Sequence, residues 1–413
     1  MKKAFQLFVA LFAAVLLGAC QKENKQDTGF VVDYFAFQAE EDGEWGLMDS
    51  DGKVVVKPRY HNMPTCVIND MFSVYDEDDA IYTMYQMVKG AKPKKIGTYK
   101  DVGAYTSKLC PVVDDDNNMS YIDKDGKKVI DLKKLDGEKV MSAFNFFNGR
   151  AMVMLENKKW GFIDENGKAV IPCKYDDAWN FWEGLAIVYY GSPEEDEDAK
   201  WAVIDTEGKE LFTKKFSDMR PNSFRFCEGY LVVSDNNERN IIINKQGEVV
   251  KKLKSGRFPA VIYNGLFTVY NAEDETYGLM NLEGEMLVKD EYDQLNYNGK
   301  LLVGKNDEER PSILSTTGEK ITRLPEGLVT LFDPEYRNYD KRMLVGEYGD
   351  GFSLIDGEGN KIATESEIFS TGLTYYWGAT VPGAFGEFDG EGEPEYDEEV
   401  DFDEEVDEDG AVG

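Results

Sequence analysis

Apolar and polar positions recur along this chain in a fixed order, and the order is that of a short β-hairpin. The clearest instance is Trp160-Gly161-Phe162-Ile163-Asp164-Glu165-Asn166-Gly167-Lys168-Ala169-Val170-Ile171-Pro172. Aligned on its turn glycine, the pattern returns at Gly52, Gly126, Gly208, Gly247, Gly284, Gly318 and Gly359. Four residues before the glycine stand Met48, Ile122, Ile163, Ile204, Ile243, Met280, Leu314 and Ile355. Three after it stand Val55, Val129, Val170, Leu211, Val250, Leu287, Ile321 and Ile362. All are apolar, which predicts that both strands of each hairpin direct one face into a shared core. Three before the glycine stand Asp49, Asp123, Asp164, Asp205, Asn244, Asn281, Ser315 and Asp356. Such side chains cap a type I turn by accepting backbone N–H groups, ahead of a glycine that takes the left-handed conformation at little cost.

A third column, six before the glycine, is small: Gly46, Ser120, Gly161, Ala202, Gly278, Ser312 and Ser353, with Ile241 as the exception. A small residue inside a strand marks the close approach of another backbone or a large ring. The residue before it is often aromatic, as in Trp45, Trp160, Trp201, Tyr277 and Phe352.

Successive glycines are 74, 41, 41, 39, 37, 34 and 41 residues apart. The first gap is twice a period of about 38, which predicts a degenerate repeat with its turn near Gly90. A third strand recurs upstream of the hairpin, at 149–154, 184–189, 229–233 and 265–270. Each repeat therefore holds three or four short strands and no helical period, and residues 41–381 are predicted to be all-β. Two architectures bury such repeats: a β-propeller, or an open β-solenoid or superhelical array with capped ends. The period favours the propeller, whose blades run about 40–45 residues. Nine turn positions imply 8–9 units, either an eight-bladed ring with one split unit or an open array. Leu373-Thr374-Tyr375-Tyr376-Trp377 is a candidate for the strand that closes a ring.

These residues carry a family resemblance. The run Lys159-Trp160-Gly161-Phe162-Ile163-Asp164, with Gly167, Val170-Ile171-Pro172, Tyr175-Asp176 and Glu183-Gly184-Leu185-Ala186, resembles the WG-repeat family of bacterial proteins. Trp45-Gly46-Leu47-Met48-Asp49 with Gly52, Val55 and Lys57-Pro58-Arg59-Tyr60 is a second match, and Tyr277-Gly278-Leu279-Met280 with Gly284 and Glu291-Tyr292-Asp293 a third. Other repeats depart, with Asn240-Ile241 and Pro311-Ser312 in place of the Trp-Gly pair. The resemblance spans roughly residues 41 to 372. It implies a β-repeat architecture and no particular reaction, because the family is known mostly as repeat arrays without an assigned activity.

The chain begins differently. Lys2 and Lys3 precede an apolar stretch from Ala4 to Ala19 that only Gln6 and Gly18 interrupt. At about 16 residues it is shorter than a membrane span of about 20 and fits the core of a signal peptide. It ends in Leu17-Gly18-Ala19-Cys20, which resembles the bacterial lipoprotein signal, in which a cysteine after small residues becomes acylated and then N-terminal. The expectation is a signal peptide over residues 1–19, palmitate or a similar acyl group on Cys20, and a flexible tether over residues 20–40. Gln21 at the next position, by the same resemblance, points to the outer membrane.

Composition narrows function by exclusion. The net charge of −33 leaves no basic footprint for nucleic acid. A single histidine, His61, confines Ser-His-Asp or Cys-His catalysis to that residue and removes zinc sites needing two imidazoles. From Glu387 onward there are 15 acidic residues and no Lys or Arg, so residues 382–413 are expected to form a disordered acidic tail. Its Asp401, Asp403, Asp407 and Asp409 lack the spacing of a tight calcium loop.

A residue that recurs at one repeat position is structural, and that test removes most candidate chemistry. Glu183 beside Trp182 resembles a buried acid until Asn148, Glu228, Asn264 and Asn298 appear before the equivalent glycines. The acidic runs 76–79, 114–116 and 194–198 read as solvated loops. Cys66, Cys110, Cys173 and Cys227 share no repeat register and read as free thiols rather than a specified disulfide pair. Non-repeating aromatics remain: Trp179 and Trp182 with Phe181 before a strand, and Tyr336 and Tyr339 in an apparent insertion at 333–341. Aromatics on loops stack on sugar rings or anchor protein partners.

The sequence therefore predicts a non-enzymatic, lipid-anchored outer-membrane protein, without catalytic residues, metal or cofactor, that binds a protein or glycan through its repeat surface. A carbohydrate-active hydrolase on a propeller scaffold and a purely structural envelope lipoprotein are the alternatives.

Overall fold

The structure is a computed structural model that describes residues 32–306, 309–332, 340–347, 351–362, 370–372 and 378–380. The segment expected to be a signal peptide, Cys20, Leu373 to Trp377 and residues 382–413 lie outside the described residues, as do Tyr336 and Tyr339.

The described residues form short antiparallel strands and no helix. Eight hydrogen-bonded sheets carry nine repeat units, because two-residue pairing between Val32–Gln38 and Val67–Ile68 fuses the first two units into one sheet. A complete unit is a meander of four strands, here lettered a to d. Unit five runs Asp177–Ala178, Leu185–Tyr190, Lys200–Asp205 and Glu210–Lys215, paired in that order. Unit two, Val67–Ile68, Met71–Asp76, Ile81–Gln86 and Lys94–Tyr99, is the degenerate repeat anticipated at Gly90, which lies between its strands c and d with φ +73°.

The tether expected to reach residue 40 ends earlier. Strand b of unit one starts at Val32, and Val32 and the consecutive Phe35, Ala36 and Phe37 are buried, with Ala36 and Phe37 covered on both sides by neighbouring strands.

The turn columns behave as their chemistry dictates. Asp164 Oδ1 accepts from Asn166 N (2.9 Å) and Lys168 N (3.0 Å), while Gly167 N donates to Asp164 O at 2.9 Å. Asp49, Asp123, Asp205, Asn244 and Asp356 repeat this double cap.

The small column marks a bulge. Trp160 pairs with Tyr175 and Phe162 with Ile171, so three residues of strand d pass opposite Gly161 alone. A Cβ on Gly161 would lie 2.6 Å from both Cys173 N and Ile171 O. Gly46 and Gly278 sit under the same bulge, at 2.7 Å from Val56 O and 2.8 Å from Val288 O. Unit five has Ala202 there, and the register is regular on both sides of it (Trp201 with Lys214, Ala202 with Thr213, Val203 with Phe212), so the methyl fits.

One expectation is met only in part. Of the column three after the glycine, Val55, Val170, Leu287 and Ile362 are half-buried and pack against the core, whereas Val129, Leu211, Val250 and Ile321 are exposed. The pleat turns the following residue inward. Ile130 abuts Gly167, Ile171 abuts Gly208, Phe212 abuts Gly247 and Val288 abuts Gly318. In these units strand d thus packs under the turn glycine of the next unit, whereas Gly90 of unit two has no such neighbour.

The array closes on itself. Arg150 Nε of unit four donates to Thr206 O in the turn of unit five at 2.7 Å. Arg342 of unit nine makes the same contact with Ser50 O in the turn of unit one, at 3.1 Å. Phe35 and Phe332 pack at 5.9 Å across the same junction. Ser370–Gly372 then pairs with strand b of unit one, Thr371 opposite Phe37, and fills the place of the missing strand a. The fold is a propeller-like ring of nine units whose first unit is split between the two ends of the chain. The closing strand lies just ahead of the segment predicted for it.

Candidate functional site

Strand polarity gives the ring two rims. The a–b and c–d connections of every unit fall on one rim, and the b–c and d–a connections on the other. The a–b turns are joined around the ring by a hydrogen-bond belt. Asn148 Oδ1 accepts from Gly184 N at 2.9 Å, Glu183 Oε2 from Gly229 N at 2.8 Å, and Asn264 Nδ2 donates to Gly299 O at 2.7 Å. Glu228 continues it to Asn264 N, and Asn69 Nδ2 donates to Tyr105 O at 2.7 Å. Lys245 lies 3.2 Å from Glu183. Five of these residues, Asn69, Asn148, Glu183, Glu228 and Asn264, hold φ near +50°, and their side chains tie one unit to the next. Glu183 is a joint between units rather than an acid in a pocket.

The acidic runs singled out in the sequence have comparable duties. Asp76 and Asp114 cap b–c turns through the backbone N–H groups of Asp78 and Asp116, each at 3.1 Å. Asp198 pairs with Lys215 at 2.7 Å in the 194–198 loop. His61 is 91% exposed and 3.9 Å from Glu44, which is a surface position. Between units two and three, a cavity of about 10 Å³ lined by Thr65, Cys66, Ser73, Met84 and Tyr105 has room for no more than a single water. None of the four described cysteines forms a disulfide; Cys66 and Cys110 are buried, Cys173 and Cys227 half-buried. Burial pushes the Cys173 thiol up to about 12 and Cys110 higher still, which keeps both from acting as thiolates.

What remains on the belt rim is aromatic. Trp182 is only 7% exposed; the Phe147 ring lies 5.4 Å away, and the Arg225 guanidinium caps it at 4.2 Å. Trp182 is therefore core, with no ring face left for a ligand. Trp179 is half-buried and stacks on Phe224, with centroids 4.1 Å apart and planes 25° apart. Phe224 itself is 63% exposed. It projects because the a–b loop of unit six is anchored on both sides of it. Phe226 is buried against Trp201 and Val203, and Asn222 Nδ2 donates to Asn240 Oδ1 at 2.7 Å. Sequence reading passed over Phe224 and Arg225. The signal for them is Phe224-Arg225-Phe226, two rings flanking a cation in a loop where the repeat requires only a turn.

The closed ring and its capped hairpins define a β-repeat scaffold. The family described as "WG containing repeat" matches residues 45–72, 119–158 and 160–192, the first and third of which open on the Trp45-Gly46 and Trp160-Gly161 pairs. No curated protein matches the chain. Among solved structures, a eukaryotic initiation factor is similar with a TM-score of 0.51 and 11% identity, over 85% of this chain and 98% of that one. A computationally designed protein, Ika8, is similar at a TM-score of 0.37 and 10% identity, over 67% and 88% of the two chains. BamB from Moraxella catarrhalis is similar at 0.36 and 11%, over 71% and 95%. At 11% identity the likeness to the initiation factor speaks to the fold alone.

Proposed function

We propose that this chain is a non-catalytic, lipid-anchored protein of the outer membrane that presents its ring to another macromolecule, protein or glycan. The observation that carries the reading is Phe224, a large apolar ring held out at the belt rim against Trp179, beside Arg225. An exposed ring backed by a rigid aromatic loses little entropy on binding, and aromatic and arginine residues dominate binding energies at interfaces. Asp164, Glu183 and His61 support a non-catalytic role, since their contacts are a turn cap, an inter-unit joint and a surface pair. Anchoring rests on Leu17-Gly18-Ala19-Cys20.

The test is retention of the purified full-length protein on envelope protein and envelope glycan fractions, wild type against Phe224→Ser. Loss of about tenfold in affinity is the expected result, the size of a modest hot spot. Equal retention of the two proteins removes the binding reading. Cys20→Ser, read by acyl labelling and membrane fractionation, tests the anchor separately.

A further inference from the structure

The two rims of the ring differ in charge. The b–c connections of units one to seven hold 20 acidic residues and three basic ones, and the d–a connections that share their rim are nearly balanced. On the belt rim, the c–d connections of the same units and the a–b connections of units two to seven together hold 12 acidic and 10 basic residues. One rim is therefore a circle of carboxylates and the other is close to neutral. Exposed apolar side chains follow the opposite pattern. Of the 11 large ones among the described residues, eight lie in a–b or c–d connections or in the first two residues of strand d, where it leaves the belt rim. Phe224 and Val261 are in the a–b loops of units six and seven, and Val129, Leu211, Val250 and Ile321 are each the second residue of strand d. None lies in a described b–c connection.

The described chain also begins at the belt rim. Strand b of every unit starts there, and unit one opens on its strand b at Val32. Residues 21–31 join Val32 to Cys20, a reach of at most about 40 Å even when fully extended. The last described strand runs the other way. Gly378–Thr380 pairs with strand a of unit four, Glu138–Phe147, with Gly378 opposite Phe144 and Thr380 opposite Ser142, so Thr380 is nearer the b–c rim. Phe224, in unit six, is four units from unit one around the ring of nine. The entry of the chain and its most exposed aromatic ring thus occupy well-separated sectors of one rim. A bilayer surface favours the same partition: apolar side chains gain by leaving water at its interface, and anionic headgroups repel carboxylates.

We propose that the belt rim rests against the lipid bilayer to which the chain is anchored, with its exposed apolar side chains at the headgroup boundary and the carboxylate rim turned to the aqueous side. The proposal rests on the anchored reading given above and narrows it, because the macromolecule that meets Phe224 is then one held at the same bilayer. Val32 decides which rim faces the lipid. A chain entering among the b–c connections would press their 20 acidic residues against the headgroups, whereas entry at the belt rim presents a nearly neutral, apolar-studded surface. The anchor at unit one, together with Leu211, Val250 and Ile321 in units five, six and eight, holds the ring at several points, so its orientation is fixed.

The test uses the acylated full-length protein, purified in detergent and returned to vesicles of phosphatidylethanolamine and phosphatidylglycerol that carry a nitroxide on the headgroup. A fluorophore is placed at Asp125→Cys or Gln246→Cys, in the c–d turns of units three and six, or at Asp115→Cys or Asn236→Cys, in their b–c turns. The signal of label taken up by the wild-type protein is subtracted. Six-residue strands, as in unit six, set the rims roughly 20 Å apart, so quenching should be at least about twofold stronger at both c–d positions. The combined variant Leu211→Ser, Val250→Ser and Ile321→Ser changes exposed side chains only. It should still float with the vesicles, with the quenching ratio between the rims falling toward one. Protein that floats but is quenched equally at the two rims, or more at the b–c positions, overturns the orientation and leaves the anchor standing. A ratio that the serine variant leaves unchanged overturns the apolar contact. A dimer in detergent that shields the c–d turns from hydrogen exchange assigns the rim to a second copy and overturns it too. Protein without an acyl group on Cys20 that fails to float removes the anchored reading and the orientation with it.

Discussion

At the scale of single residues, the Trp-Gly pair is the most legible part of the sequence. Its meaning needs the neighbouring strand. The smallness of Gly161 was readable as close approach, but not that the approaching backbone is the bulge formed by Pro172, Cys173 and Lys174 after Ile171. The contrast with Ala202, beside a regular strand, shows that glycine is demanded by the bulge rather than by the position in the repeat. Gly161→Ala should therefore destabilise the protein by about 1–3 kcal/mol, the cost of forcing a methyl into filled space. Ala202→Gly, which removes a methyl without relieving any clash, should cost about 0.5–1 kcal/mol. Urea denaturation of the two variants checks this, and equal losses would contradict the bulge account. Phe224 shows where reading residue by residue runs out. Its projection depends on the burial of Phe226 two positions away, which no spacing rule encodes.

At the scale of the element, the c–d turn was fully foreseen and the face of strand d only in part. Both its third and fourth residues after the glycine are often apolar. Sequence pattern alone favoured the third, whereas the inter-unit packing of Ile130, Ile171, Phe212 and Val288 uses the fourth. The turn itself carries a pH dependence. Backbone N–H groups of Lys168 and Asn166 hold the Asp164 carboxyl below its ordinary value, and those of Asn360 and Glu358, with the Asn360 amide, outweigh burial to do the same for Asp356. A carboxyl whose folded value is depressed stabilises the fold above its unfolded value, near about 3.9, and that contribution is lost as pH falls through the folded value. Stability should thus decline in acid, with relief of the −33 net charge acting in the opposite sense. Comparing wild type with Asp164→Asn separates the two, because asparagine keeps the cap, as Asn244 does, and cannot titrate. The stability difference between them should shrink between about pH 5 and pH 2. A difference that stays constant over that range would mean the cap carries no charge contribution.

At the scale of the molecule, ring closure was the least legible feature, because it joins residues about as far apart in sequence as the described chain allows. Nothing in the local pattern of Ser370, Thr371 and Gly372 marks them as the inner strand of the first unit. Closure has two layers. Side chains bring unit nine against unit one through Arg342 and Phe332, and the backbone of Ser370–Gly372 then covers Ala36, Phe37 and Gln38. An uncovered inner edge at that junction would leave unpaired N–H and C=O groups in a place built to be dry. Two truncations separate the latch from the charge that follows it. Ending the chain at Gly386 removes the 15-carboxylate run, leaves both terminal strands in place, and should leave the thermal midpoint within about 2 °C of wild type. Ending it at Ile362 removes both strands and should lower the midpoint by at least about 5 °C, with a broader transition as units one and nine part. Indistinguishable midpoints for the two truncations would mean that side-chain packing alone closes the ring. A large loss already at Gly386 would assign the acidic run a structural role that like charges do not ordinarily play.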